Sequence, residues 1–243
     1  MSGMLELKDL FGGYGKITIL NGTTFSVPRG SITTVIGPNG AGKSTVFKAI
    51  FGLLNIHSGN IVFDGEDVTR SSPRQMIGHG VTYVPQGRNV IPQLTVEHNL
   101  EMGGITSDDQ ASVRRRMDIV MDQFPILRKF RNRKAIELSG GQQKQLEVAR
   151  ALLLDPKLML IDEPSIGLSP NLVQEVFAIL QKLRDDGVTI LMVEQNAKAA
   201  LAMSDYGLVL ELGQTRMFDK ADKLLNDPKV GKLFLGGHME EPA

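Results

Sequence analysis

Apolar residues along this chain fall into two patterns. Ile32-Thr33-Thr34-Val35-Ile36, Leu158–Ile161, Val188–Val193 and Tyr206–Leu212 are short, nearly continuous apolar or β-branched runs, which predict strands buried on both faces. Helical spacing separates them. Gln142–Leu154 has apolar residues at 146, 149 and 153. Asn171–Asp186 has them at 172, 173, 176, 179, 180 and 183, with Gly187 as a stop signal. Thr45–Phe51 reads as a further helix start. Alternation of this kind predicts an α/β fold with a mostly parallel, doubly wound sheet. Leu5–Leu10, Thr23–Val27 and Asn60–Asp64 read as shorter strands punctuated by Gly and Asn, forming a small antiparallel layer. Residues 88–137 change texture: Asn99–Gly104 and Ala111–Phe124 look helical, broken by Gly103-Gly104 and Pro125. This predicts an inserted helical lobe. Asp222–Asn226 and Pro228–Leu235 predict a short helical tail. The expected organisation is one domain over 1–243, divided as 1–87, 88–137 and 138–243.

Candidate chemistry sits at the ends of these runs. Gly37-Pro38-Asn39-Gly40-Ala41-Gly42-Lys43-Ser44-Thr45 fits the phosphate-loop pattern G-x-x-x-x-G-K-[ST], between a strand and a helix. Glycines let successive backbone N–H groups turn inward around an anion. Lys43 is placed to reach β- and γ-phosphates, and the Ser44 hydroxyl is a candidate magnesium ligand. Asp162-Glu163 ends the run Leu158–Ile161, where open α/β sheets bind ligands. Asp162 is the candidate magnesium carboxylate. Glu163 is the candidate general base on water. A strand capped by two solvated acids is common, so this pair gains its meaning from the phosphate loop upstream. Leu138-Ser139-Gly140-Gly141-Gln142 opens a helix, and a helix start favours an anion. An ordinary serine cap accounts for Ser139, but not for two glycines followed by Gln142-Gln143.

Leu138–Gln142 resembles the signature motif of ATP-binding cassette (ABC) ATPases, and motif order, spacing and length extend the resemblance over nearly the whole chain. It implies a RecA-like core with an antiparallel β layer and helical lobe, ATP and Mg2+ as cofactors, and hydrolysis of ATP. It also implies head-to-tail pairing with a second cassette, the same or a sister chain, so that Ser139, Gly140, Gly141 and Gln142 close on nucleotide held by the partner. By the same resemblance Tyr14 stacks on adenine, and Gln86 senses magnesium and couples to an integral membrane permease. Gln195 stands where most relatives carry a histidine on the γ-phosphate; it can donate a hydrogen bond but carries no charge. Ser169 stands where relatives often have aspartate. A narrower resemblance, to the smaller ATPase of bacterial branched-chain amino acid importers, rests on four segments: Val84–Arg88, Leu94–Leu100, Asp162–Leu168 and Val193–Asn196. The ending Leu235-Gly236-Gly237-His238 adds to it. Relatives there commonly have Glu at the Gln86 position, a further departure. The expected function is uptake of branched-chain amino acids. The alternatives are a urea or short-chain amide importer, a soluble ABC switch protein on ribosomes or DNA, or a regulatory subunit with little turnover.

Composition narrows the remainder. Lys plus Arg equals Asp plus Glu at 27 each, so no global field draws the chain to nucleic acid or anionic lipid. There is no cysteine, hence no disulfide framework and no thiolate zinc site. No apolar run reaches membrane-spanning length. The first nine residues lack a hydrophobic signal core, so secretion is not expected. The expected place is cytoplasmic, peripheral on the inner face of the membrane through a permease, with no direct insertion. Arg114-Arg115-Arg116 and the cluster Arg128, Lys129, Arg131, Arg133, Lys134 admit three readings: a nucleic-acid surface, a solvated helix face, or a docking surface for a membrane partner. His57, His79, His98 and His238 form no metal-ligand spacing, and the 11 methionines read as core packing.

Overall fold

The computed structural model describes residues 3–107 and 109–234. Leu235-Gly236-Gly237-His238 therefore lie outside the described residues. In chain order the strands are β1 Leu5–Tyr14, β2 Ile17–Val27, β3 Ile32–Ile36, β4 Asn55–Phe63, β5 Glu66–Asp67, β6 Val81–Val84, β7 Leu158–Asp162, β8 Thr189–Val193, β9 Tyr206–Glu211 and β10 Gln214–Lys220. The helices are α1 Lys43–Ile50, α2 Pro73–His79, α3 Val96–Gly103, α4 Gln110–Gln123, α5 Pro125–Lys129, α6 Gly140–Leu152, α7 Pro170–Asp185, α8 Ala197–Met203, α9 Ala221–Leu225 and α10 Pro228–Phe234.

Two sheets form. One has the order β10-β9-β3-β8-β7-β6, parallel throughout except for β10, which returns antiparallel on β9. The other is antiparallel, in the order β2-β1-β4-β5. Both were expected, but the antiparallel strands run much further than their apolar patterns suggested. The glycines read as punctuation lie inside them, at register shifts between Lys8 and Phe11 and between Gly12 and Gly13. Such shifts bend a strand without ending it. Sequence patterning also passed over α2, α5, α8 and β10, which are short or carry mixed faces.

Every residue of β3, β7 and β8 is buried, as the continuous apolar runs required. One apolar cluster packs α1 and the antiparallel sheet against one face of the parallel sheet, through residues such as Leu7, Phe47, Phe63 and Leu191. The other face carries α6 and α7 and merges with the lobe, so that Leu100, Phe124 and Leu127 share a cluster with Leu146, Ile161 and Met192. The helices of 88–137 are thus packed onto the same core as the sheet. Three of their basic residues pair with acids, Arg116 with Asp155 at 2.7 Å, Arg128 with Asp122 at 2.8 Å and Arg131 with Glu97 at 2.5 Å. The guanidinium of Arg133 lies 4.5 Å from the Phe130 ring centroid. This supports the reading as a solvated helix face. No described helix is long and apolar enough to cross a membrane.

Candidate active site

Strand order decides which residues meet. The loop after β3 is the phosphate loop, and Asp162-Glu163 end β7. Between those strands lies β8, which is followed by Gln195, and outside β7 lies β6, which is followed by Gln86. Four segments distant in sequence therefore line one carboxyl edge of the sheet, the ligand-binding edge of open α/β folds.

The phosphate loop is built for close backbone approach. Gly40 and Gly42 have φ of 80° and 96°, and a Cβ on Gly37 would lie 2.1 Å from the Leu210 carbonyl oxygen. Pro38, Asn39 and Gly40 are exposed, whereas Ala41, Gly42 and Lys43 are buried. No side chain caps the start of α1, so its first N–H groups are left for an anion. Lys43 Nζ donates to the carbonyls of Gly37 at 2.8 Å and Pro38 at 2.9 Å, across the mouth of its own loop. Burial lowers the Lys43 pKa, and Glu163 and Asp162 act against that shift. Ser44 and Thr45 follow in the first turn of α1, partly buried.

Asp162 is 2% exposed. Its Oδ2 accepts from Tyr83 Oη at 3.3 Å, while its buried Oδ1 has no hydrogen-bond partner among the described residues. Burial raises its pKa, offset in part by the Ser44 and Tyr83 hydroxyls and by Lys48 and Lys43. Burial and Asp162 together push the Tyr83 phenol upward. An orphaned carboxylate oxygen beside a serine hydroxyl is a donor set for a hard cation. No group of three or more His, Cys, Asp or Glu among the described residues is placed to hold a metal. That fits magnesium, which takes one or two protein oxygens and completes its shell with substrate phosphates and water.

Glu163 has φ of +49°, an uncommon conformation for a side chain of its size. Its N–H is tied to the Val193 carbonyl at 2.9 Å. Its carboxylate accepts from Gln86 Nε2 at 2.8 Å and from Gln195 Nε2 at 3.1 and 3.2 Å. Two neutral amides thus clasp the candidate base from either side. Glu194, not singled out by the sequence, is 2% exposed and accepts from the Ser165 N–H at 2.8 Å and Oγ at 2.7 Å. Burial raises its pKa, and the two Ser165 bonds lower it. It staples the loop after Glu163 to the loop of Gln195. A charged residue directly after a buried apolar run was the available signal. Tyr83 gave none, since its role depends on β6 pairing with β7.

Tyr14 ends β1 with its side chain exposed and Lys48 Nζ 5.5 Å from its ring centroid, which brings it beside α1. Ser139, Gly140, Gly141 and Gln142 stand apart: among the described residues no hydrogen bond joins them to the phosphate loop. Their local structure differs from expectation. Ser139 Oγ accepts from the Gln142 N–H while Gln142 Oε1 accepts from the Ser139 N–H, a reciprocal capping box. Gln143 Nε2 donates to the Ala135 carbonyl at 2.9 Å. A Cβ on Gly141 would lie 2.8 Å from a Leu172 methyl. Capping and packing therefore account for more of this motif than a lone serine cap. Ser139 itself remains exposed at this helix start.

A phosphate loop, a cation-ready aspartate and a clasped glutamate on one sheet edge define a nucleotide-hydrolysing cassette. The chain belongs to the ABC transporter family, which it matches over residues 20–166. It is 42% identical over 235 residues to the high-affinity branched-chain amino acid transport ATP-binding protein BraG of Pseudomonas aeruginosa, covering 96% of this chain and 100% of that protein. The ADP conformation of MJ1267, an ATP-binding cassette of an ABC transporter, superposes with a TM-score of 0.88 at 29% identity, covering 98% of this chain and 100% of the other. A dimeric post-hydrolysis state of the cassette MJ0796, bound to ADP and Pi, aligns with a TM-score of 0.76 at 26% identity, covering 90% and 99%. This chain is an ATP-binding subunit of an ABC transporter and an ATPase.

Proposed function

We propose that the chain drives an importer of branched-chain amino acids, as one of two cassettes attached through permease subunits to the inner face of the membrane. The observation that carries the chemistry is the convergence of Lys43, Asp162 with its unpartnered oxygen, and Glu163 on one sheet edge. The full-length likeness to BraG supports the cargo.

Lys43 leaves its loop carbonyls to neutralise the β- and γ-phosphates, and the loop amides take the remaining charge. Ser44, Asp162 and Gln86 would hold magnesium, which would supply Lewis-acid polarisation of the phosphates when bound. Glu163 accepts a proton from water aligned for in-line attack once the Gln86 amide releases its carboxylate. Gln195 keeps one donor on the Glu163 carboxylate or offers it to the γ-phosphate. Tyr14 covers adenine. Ser139, Gly140, Gly141 and Gln142 act on the nucleotide of a second cassette, a reading supported by the absence, among the described residues, of any hydrogen bond from them to the phosphate loop of their own chain. The permease is met beside Gln86, where a cleft of about 420 Å³ runs between Tyr83 and Pro85 of the sheet edge and Met102 and Gly103 of the lobe.

The cargo is tested by deleting the gene and measuring uptake of labelled leucine and of labelled urea. Loss of leucine uptake with urea unaffected is expected; the reverse would move the assignment to an amide importer, and no change in either would refute the importer reading.

A further inference from the structure

We propose that Lys144 and Glu147 are positioning residues that lock the signature helix to the loop carrying Gln86, so that the two move as one body. The proposal rests on the site assignment above. Both side chains lie on α6, one to two turns after Ser139, and are 6% and 2% exposed. Lys144 Nζ meets Glu147 Oε2 at 2.5 Å. A buried ion pair is poor value as a source of stability, because desolvation consumes most of its attraction. The remaining bonds of this pair show what it holds. Glu147 Oε1 accepts from the Asn89 N–H at 2.6 Å, and Lys144 Nζ donates to the Gly87 carbonyl at 3.2 Å. From the next turn of α6, Arg150 Nη1 donates to the Asn89 carbonyl at 2.6 Å. Asn89 Nδ2 closes the loop on the Pro85 carbonyl at 2.7 Å.

Residues on both sides of Gln86 are thus tied, directly or through Asn89, to one face of α6. Gln86 in turn donates to Glu163. The path from the signature to the candidate base consists of a helix about 10 Å long from Gly140 to Glu147, two ions and one short loop. An α-helix transmits axial displacement with little loss, and the ionic contacts that join it to the loop are all satisfied in this arrangement. Displacement of Ser139–Gly141 by a partner's nucleotide would therefore carry Gln86 with it and open the clasp on Glu163.

The test is amide hydrogen exchange on wild type and on Lys144→Met/Glu147→Leu, with and without magnesium and a non-hydrolysable ATP analogue. In wild type the Asn89 amide is expected to be protected, and nucleotide should change exchange in 85–90 and 139–143 together. In the double variant Asn89 exchange should rise at least about tenfold, and the two segments should respond independently. Asn89 protection unchanged within about twofold, or segments that still respond together, would overturn the strut and leave the site assignment standing. No nucleotide response in wild type at either segment would overturn the site assignment itself. If the double variant does not fold, Glu147→Gln serves. It keeps the shape and removes the charge, and should raise Asn89 exchange about threefold to tenfold, no change again refuting the strut.

Discussion

Asp162→Asn should stabilise the nucleotide-free protein while abolishing its response to magnesium. The native carboxylate is 2% exposed; among the described residues its Oδ1 has no hydrogen-bond partner, Tyr83 donates to Oδ2 at 3.3 Å, and the Ser44 hydroxyl lies close enough to favour the charged form. Its pKa is raised by burial. Between the unfolded carboxylate value and that raised value, the folded chain holds more protons than the unfolded one. Stability therefore falls as pH rises through that window and is level above it. Asparagine does not titrate and escapes this loss. An unsatisfied buried polar group costs about 1–3 kcal/mol, and more when charged. Asparagine still leaves one polar group unsatisfied, so the net gain is about 1–2 kcal/mol, or about 2–8 °C in Tm for a chain of this size. Thermal melts without nucleotide at about pH 8 and about pH 4 measure it, the lower value being near the unfolded carboxylate pKa. The variant should melt higher at the upper pH, with the gap narrowing at the lower. Magnesium should add to the Tm rise that ATP gives the wild type and add little to it in the variant. An asparagine variant that melts at or below wild type at the upper pH would show that Asp162 is a satisfied structural acceptor, and the cation argument would fall.

Lys43→Ala should weaken ATP binding by roughly 10–100-fold, the loss of about 1.5–3 kcal/mol from a charged hydrogen-bonding group; unchanged affinity by calorimetry would refute the cradle assignment. Glu163→Gln should bind Mg-ATP yet release phosphate at least about 100-fold more slowly, and its size-exclusion mass with Mg-ATP should double if this chain pairs with itself. A mass that stays monomeric with ATP bound points to a sister cassette instead. Gln195→His should keep phosphate release similar or higher, because imidazole still donates one hydrogen bond to Glu163. Gln195→Ala, which removes the donor, should lower kcat about tenfold, or 1.4 kcal/mol; equal losses in both variants would show that glutamine has a role beyond donation.

The sequence alone determined the chemistry and its local frames. The frames of the phosphate loop, of Asp162-Glu163 and of Ser139–Gln142, a turn into a helix, a strand end and a helix start, were legible because each is a contiguous segment. The buried runs of β3, β7 and β8 were legible because a strand covered on both faces must be apolar throughout. Longer antiparallel strands were not, since a glycine at a bulge and a glycine at a turn look alike until a partner strand sets the register. Gln142 was read past its capping role because a reciprocal cap is a matter of two side-chain rotamers. Tyr83, Glu194, Lys144 and Glu147 could not be singled out from spacing, because each acquires its role from a residue on a different element. What only the tertiary structure decided is the order β3-β8-β7-β6. That order sets Gln195 and Gln86 on either side of Glu163. Apolar runs state that strands are buried but not which strand lies beside which. Neighbours are chosen by how the connecting helices pack, and that is a property of the whole chain at once.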